Sequence, residues 1–447
     1  MEDLNVIKIS RVSPATDSVE PLILPLTFFD LMWLKLNPTK RVTFYKLTES
    51  SHDSFYSVIL PKLERSLSIV LTHFLPLSGN LKWDPQEPKP HIVVLPQDAV
   101  SLTVAETEAD FSHVSGKGLR HQTELYHLVP ELPVSSDSAS ILAMQVTLFP
   151  NQGFSIGTTV HHVAMDGKTL VKFLKSWAHI CKHGTTPQDF HLPMLLDRTV
   201  VNVPARLELK LFEFLRYLSQ GKDYARTLDL PPANKIEDTV RITLELTKEN
   251  IEKLKKKAKN ESTRSDLHLS TFVVTYAYVL TCALKARGSD SNRPVAFDYG
   301  VDFRDRLDPP VPVNYFGNCV MPINVNGYEA RTFLGEDGFV NGVEILSDSL
   351  RGLSSQGVES LWELYEDALK KREQGTETLF LAGSNKFGIY ESDFGWGRPV
   401  STENISVSGN NLFSMSEMRD EIGGVEIGMC LKKCEMDVFI SIFQNGL

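Results

Sequence analysis

The sequence predicts an α/β protein of two similar-sized halves, and three observations carry that expectation. The chain has 447 residues, which at roughly 150 residues per domain suits two or three domains and a substantial core. Strand-like and helix-like periodicities alternate in both halves. Between 184 and 238 that pattern loosens under prolines at 187, 193, 204, 231 and 232, as a crossover between domains would. The division drawn is residues 1–185, a crossover over 186–230, and 231–447. No short-period self-similarity suggests a solenoid.

Residues 42–47 and 91–95 are short strand-like runs. A long amphipathic stretch over 53–75 places Val58, Leu60, Leu63, Leu67, Val70 and Leu71 near helical spacing. Residues 141–149 and 154–162 read as two strands joined by Pro150-Asn-Gln-Gly153, whose residues suit a hairpin. A helix follows over 167–182, because Leu170, Phe173, Leu174, Trp177 and Cys181 recur on one face. A further helical pattern lies at 207–218. The second half repeats the style, with a strand over 239–246, helices over 248–259 and 270–285, and a strand over 294–301.

Composition narrows the function classes. With 46 Lys+Arg against 56 Asp+Glu the formal net charge is −10, which gives no basic footprint for nucleic acid. The basic run Lys253 to Lys259 follows Glu249 and Glu252 in a helical segment and reads as a solvated face, with one or two lysines still available to a bound phosphate. Five cysteines, an odd and sparse set, read as reduced thiols with no zinc cluster. The acidic N-terminus does not resemble a signal peptide. The most apolar long stretch, 267–284, is interrupted by His268, Ser270 and three threonines and is too polar for a membrane span. A cytoplasmic protein is expected, with the sequons at Asn260 and Asn404 unused.

The densest polar signal runs from Thr158 to Gly167, where a strand gives way to a turn before a helix. On strand alternation Phe154, Ile156, Thr158, Val160 and His162 share one face and His161 lies on the other, so one histidine joins that face. A neutral imidazole is suited to taking a proton near neutral pH, and Asp166 is placed to fix its tautomer or orient its loop. Gly167 suits a turn that a Cβ-bearing residue resists. The competing reading makes one histidine a core residue and Asp166 a helix cap; both readings stand at this point. A metal held by both histidines and Asp166 is disfavoured, since adjacent strand residues face apart. Gly153-Phe-Ser155-Ile-Gly157 matches the nucleophile elbow of hydrolases, but the strand runs on through Ser155. Tyr390 to Pro399 combines glycines, aromatics, Asp393 and Arg398 in what reads as a structural turn. An arginine of 302–306 has Asp166 as one candidate partner and its own acidic neighbours as others.

His162-Val-Ala-Met-Asp166-Gly167 and Asp393-Phe-Gly395-Trp396-Gly397, about 230 residues apart, together resemble the HxxxDG and DFGWG motifs of the BAHD acyl-CoA-dependent acyltransferases of plant specialised metabolism. The resemblance covers essentially the whole chain. Tyr315-Phe-Gly-Asn-Cys319 resembles the YFGNC-type motif of the clade that acylates anthocyanins and other flavonoid or phenolic glycosides. Leu24-Pro-Leu-Thr-Phe-Phe-Asp30 and Leu75-Pro-Leu-Ser-Gly-Asn80 look like further family segments.

What the resemblance implies is two chloramphenicol acetyltransferase-like α/β domains with mixed sheets, joined by a crossover loop. An active-site channel between them would admit acyl-CoA from one side and acceptor from the other. It implies that His162 is the general base and that Asp166 turns from the substrate to hold the loop through Arg304. Gly167, Asp393, Gly395, Trp396 and Gly397 would be structural. Acyl-CoA would be a cosubstrate, with no cofactor and no metal, and the protein a monomer. Ser270 and Thr271 at a helix start are candidates for a CoA anion.

The acceptor implied is a sugar hydroxyl of a phenolic, flavonoid or anthocyanin glycoside. It follows from the match at 315–319, and from Leu381-Ala-Gly-Ser-Asn385 standing where transferases acting on shikimate-type acceptors carry a Trp. A malonyl donor would want a cation, for which Lys168, Lys386 and Arg293 are available; a hydroxycinnamoyl donor would want apolar lining. Two alternatives stay open: an N-acyltransferase acting on an amine such as agmatine, and an inactive ligand-binding relative.

Overall fold

The hairpin Leu142–Phe149 and Gly153–Val160 is buried along its whole length, as strands are in the middle of a covered sheet. The computed structural model describes residues 4–16, 19–47, 52–84, 86–219, 227–230, 238–407 and 411–447; part of the expected crossover, 220–226, and Pro231 and Pro232 beside it lie outside them. The first sheet has the order Asn5–Val12, Val100–Glu106, Leu142–Phe149, Gly153–Val160, Thr39–Lys46, Ser401–Asn404. Val100–Glu106 runs parallel to Leu142–Phe149 and the other neighbours are antiparallel, so the sheet is mixed. The hairpin turn places Asn151 at φ 60°, a left-handed conformation that Asn tolerates. Ser155 is wholly buried in mid-strand, so the resemblance of 153–157 to a nucleophile elbow carries no chemistry.

Helix Gly167–His183 buries Leu170, Phe173, Leu174, Trp177 and Cys181, the face the periodicity predicts, and packs against Leu60–His73. The helix expected over 53–75 is present but not uniform. Residues Phe55–Ile59 wind as a π-turn, with Leu60 N–H donating to the Phe55 carbonyl. Pro61 follows at the start of Leu60–His73; having no N–H, it cannot make the i→i−4 bond of a regular helix.

The second sheet has the order Val320–Glu329, Pro294–Asp302, Glu377–Ala382, Leu412–Glu417, Val425–Lys432, Thr239–Leu246, Arg120–His121. It too is mixed, since Glu377–Ala382 is parallel to both of its neighbours. Thr271–Ala286 is its central helix and contacts Lys248–Glu261, Gly338–Gly352 and Lys433–Asn445. In Lys248–Glu261 the residues Ile251, Leu254 and Ala258 are buried, while the basic run faces solvent with Glu249–Lys253 and Glu252–Lys255 pairs at 3.3 and 2.8 Å. A smaller sheet joins Leu22–Pro25, His91–Val94, Asn80–Lys82 and Ser138–Ser140.

The two large sheets exchange edges. Ser401–Asn404 leaves the C-terminal half to pair with Thr39–Lys46, and Arg120–His121 leaves the N-terminal half to pair with Thr239–Leu246. Where they cross, the buried Glu403 carboxylate accepts from Arg120 Nη2 at 2.6 Å and Thr243 Oγ1 at 2.9 Å, with Arg241 Nε at 3.6 Å. Among the described residues no helix is long and apolar enough to cross a membrane.

Candidate active site

Strand Gly153–Val160 ends two residues before His162, and the chain turns through Val163 to Met165 before the helix begins at Gly167. His161 N–H donates to the Ile141 carbonyl at 2.9 Å, and the His161 carbonyl accepts from Ala164 N–H at 3.0 Å. The His161 ring is wholly buried and its Nε2 has no partner. Burial, helped by the neighbouring His162, pushes its pKa down to about 4. His161 is therefore a neutral core histidine.

His162 faces the other way, into a cavity of about 1090 Å³ whose walls come from both halves of the chain. Its ring stacks on Trp33 with centroids 4.3 Å apart and planes 12° from parallel. Nδ1 is buried without a hydrogen-bond partner, which leaves Nε2 as the nitrogen toward the cavity. Burial pushes the pKa down; the His162 carbonyl, the Asp166 charge and the Asn318 side chain push it up; the net displacement is downward. A ring held below its ordinary value near 6.5 is neutral at neutral pH and able to accept a proton.

Asp166 makes the contacts of a helix cap and of a loop anchor, with no hydrogen bond to the His162 ring. Its Oδ1 accepts from Thr169 N–H at 3.0 Å, capping the helix. Its Oδ2 accepts from Arg304 Nη1 at 2.8 Å and from Cys319 N–H at 3.1 Å. Burial would raise its pKa, but Arg304 and the two amides hold it below the ordinary aspartate value. Arg304 also reaches Asp302 Oδ1, Thr169 Oγ1 and the Gly317 carbonyl, each at 3.2 Å. Gly167 corrects the sequence reading: it is the first helical residue, with no positive φ. Its lack of a Cβ matters for space, because that atom would lie 2.9 Å from Cε2 of Phe387.

The segment 315–319 wraps the loop. Gly317 and Cys319 contribute the contacts above, and Asn318 Nδ2 donates to the carbonyls of His162 and Val163 at 3.0 and 3.1 Å. Asn318 also donates to Asp30 Oδ1 through its backbone N–H at 2.9 Å and through Nδ2 at 3.0 Å. Sequence reasoning missed Trp33 and Asn318 as neighbours of His162, and Asp30 behind Asn318. The signal was there: Asp30 closes the segment 24–30 and Asn318 belongs to the segment 315–319.

Lys168, Lys172 and Lys175 on the helix, with Lys386, line the same cavity, as do Phe272, Tyr365, Phe380 and Phe387. Lys168 pairs with Asp302 at 3.0 Å and Lys175 with Glu391. Lys172 donates to the Val313 carbonyl at 3.2 Å, and burial, with the charges of Arg304 and Lys168, pushes its pKa down to about 8. Arg293 is not brought here: it binds Glu377 at 3.0 Å. Nor are the side chains of Ser270 and Thr271 in the wall; Ser270 Oγ accepts from Val273 N–H at 3.3 Å as a helix cap, and it is Phe272 that reaches the cavity.

Asp393, Gly395, Trp396 and Gly397 lie outside the cavity lining. The Asp393 carboxylate accepts from the amides of Gly395 and Gly397 at 2.8 and 3.0 Å and from Lys182 Nζ at 2.6 Å. Phe394 packs edge-on against Trp177 with centroids 4.7 Å apart, and Trp396 against Phe154 at 6.0 Å. The segment ties the end of helix Gly167–His183 to the first sheet.

A family model described as the Transferase family matches residues 3–445. The chain is 72% identical over 443 residues to a BAHD acyltransferase of Arabidopsis thaliana, covering 99% of this chain and 98% of that one. It is 63% identical over 450 residues to an agmatine coumaroyltransferase of the same plant, with 99% of each covered. A phenolic glucoside malonyltransferase of Arabidopsis thaliana is 48% identical over 449 residues, again with 99% of each covered. Among solved structures, vinorine synthase superposes with a TM-score of 0.72 at 21% identity and 98% coverage of each chain, a likeness of fold.

Proposed function

Since the chain belongs to the BAHD family of acyl-CoA-dependent acyltransferases, we propose that His162 Nε2 is the general base of a direct acyl transfer. The base takes the proton from the acceptor O–H or N–H as that atom attacks the thioester carbonyl. The tetrahedral adduct collapses with cleavage of the C–S bond, and Nε2–H returns the proton to the CoA thiolate. Asp166 and Arg304 hold the loop through their mutual pair and their contacts to Thr169, Gly317 and Cys319. The observation that carries this reading is the His162 imidazole, stacked on Trp33 and held by burial below its ordinary pKa, in the wall of a cavity between the two halves. His162→Ala is expected to cost on the order of 10²-fold or more in turnover. Near wild-type thiol release from that variant removes His162 from the mechanism.

For the substrates, the reading favoured is a hydroxycinnamoyl group passed to an amine. Its support is the 63% identity to an agmatine coumaroyltransferase against 48% to a phenolic glucoside malonyltransferase, together with the aromatic side chains in the cavity wall. Of the two segments on which the glycoside expectation rests, 315–319 and 381–385, the first contacts the 162–166 loop through Gly317, Asn318 and Cys319, while residues 381–385 line the cavity. A second reading, malonyl transfer to a glucoside hydroxyl, is favoured by the lysines of the lining, which suit a malonyl carboxylate. Thiol release with p-coumaroyl-CoA or malonyl-CoA, each offered agmatine or a set of phenolic glucosides, separates the two. Release that requires malonyl-CoA and a glucoside overturns the amine reading.

A further inference from the structure

The cavity wall holds a primary amine that no carboxylate answers. Lys168, Lys172 and Lys175 stand at i, i+4 and i+7 on helix Gly167–His183, and all three reach the lining. The outer two are ion-paired, Lys168 with Asp302 at 3.0 Å and Lys175 with Glu391. Lys172, between them, has no ion pair among the described residues. Its Nζ donates to the Val313 carbonyl, a neutral acceptor in the same lining, at 3.2 Å. The side chain is half-buried, and the charges that act on it, Arg304 and Lys168, are both cations. Burial and like charge disfavour an ammonium, and a lysine so placed is an activated nucleophile. With its pKa pushed down to about 8, Lys172 at pH 7 holds on the order of 10²-fold more free amine than an ordinary lysine.

That amine lines the cavity which, under the proposed function, takes an acyl thioester. A lysine side chain and agmatine both end in a primary amine on a four-carbon chain, so Lys172 offers the thioester the same nucleophile as the favoured acceptor. We propose that Lys172 is a self-acylation site, whose Nζ takes the acyl group of bound acyl-CoA when no acceptor is present. The lone pair of the neutral amine forms the N–C bond at the thioester carbonyl, the C–S bond breaks, and the proton shed by the nitrogen goes to the departing CoA thiolate. The products are an amide on Lys172 and free CoA thiol, and the thioester is the only co-reactant. An amide does not pass the group on, so the modification accumulates and removes one positive charge from the wall.

Self-acylation needs acyl-CoA in this cavity and so rests on the proposed function, and the experiment separates the two. Purified protein is incubated at neutral pH, without acceptor, with p-coumaroyl-CoA and separately with malonyl-CoA, then followed by intact mass and by mapping of the labelled peptide. With the donor that the cavity accepts, one acyl group per chain is expected on Lys172, arriving on the order of 10-fold or more faster than on the exposed Lys256 and Lys257. Free CoA is expected to slow the label at Lys172 and leave the surface label unchanged. Labelling of Lys172 no faster than the surface lysines, or indifferent to free CoA, overturns self-acylation. Lys172→Arg keeps the cation and removes the nucleophilic amine; it is expected to lose the fast label, and the same fast label in that variant refutes the site. The wild-type map reads the site even where the variant fails to fold. Thiol release with an acceptor present, while Lys172 stays unlabelled without one, sinks self-acylation and leaves the proposed function standing; absence of both sinks both.

Discussion

Replacing Asp166 with Asn tests whether the loop that carries His162 is held by charge. The side chains of Asp166 and Arg304 are 2% and 4% exposed, so water cannot take over the guanidinium when the carboxylate is removed. Removing one partner of a buried pair costs about 3–5 kcal/mol, against a total stability of about 5–15 kcal/mol. The amide makes matters worse, because three donors converge on Asp166, from Thr169, Arg304 and Cys319, and Asn brings an NH₂ group among them. Urea unfolding of Asp166→Asn at pH 7, followed by the initial rate of thiol release, reads both effects. The expectation is a stability loss of that size and a fall in kcat. The folded carboxyl is held below its free value, so its contribution is present above about pH 3.9 and is lost as pH falls through the depressed folded value. The difference between variant and wild type therefore shrinks only in that acid range. A loss under about 1 kcal/mol at neutral pH, the scale of an exposed pair, refutes the claim that charge holds the loop.

Three further outcomes follow from the same geometry. Trp33→Leu removes the stacked partner of His162; a stack worth about 0.5–1.5 kcal/mol predicts a 2- to 12-fold lower kcat, and unchanged kinetics count against the contact. The His161 pKa, near 4 in the folded protein, lies below its unfolded value of about 6.5. Its stabilisation is therefore full above pH 6.5 and declines as pH falls toward 4, with a slope of up to about 1.4 kcal/mol per pH unit. His161→Leu should flatten that region of a stability profile. Gly397 sits at φ 100° with nothing within 4 Å of a built Cβ, so Gly397→Ala costs backbone strain alone, about 1–2 kcal/mol, seen as a lower Tm with kcat unchanged.

Local pattern made the strand, turn and helix around His162 legible, because the apolar positions of 153–160 and 167–183 repeat at the periods of the elements they form. Elements whose pattern is diluted were harder to read. Val320–Glu329 is a ten-residue strand interrupted by Pro322, Asn324, Asn326 and Gly327. The exchanged pieces 120–121 and 401–404 are too short to carry any period. The same limit applies to the site. Asp166 and Arg304 were named together from motifs, and they meet at 2.8 Å. Asp30 and Asn318 are 288 residues apart, and no local pattern states that a neutral amide will join a carboxylate to a histidine loop. Gly167 is instructive in a different way. A glycine at a turn suggests an unusual φ, whereas here φ is ordinary and a side chain would instead crowd the Phe387 ring.

The exchange of edge strands has a consequence for traffic. Because Ser401–Asn404 completes the first sheet and Arg120–His121 the second, the halves are laced together and cannot swing apart without unzipping β-ladders and exposing Glu403. Asn404 and Ser406, at the end of one lace, are themselves cavity wall. The cavity is thus walled by a body whose halves are tied at both sheets rather than by a cleft that opens and shuts. For the acyl transfer proposed above, access to His162 would then be set by the cavity mouth and the side chains around it rather than by a hinge between the halves.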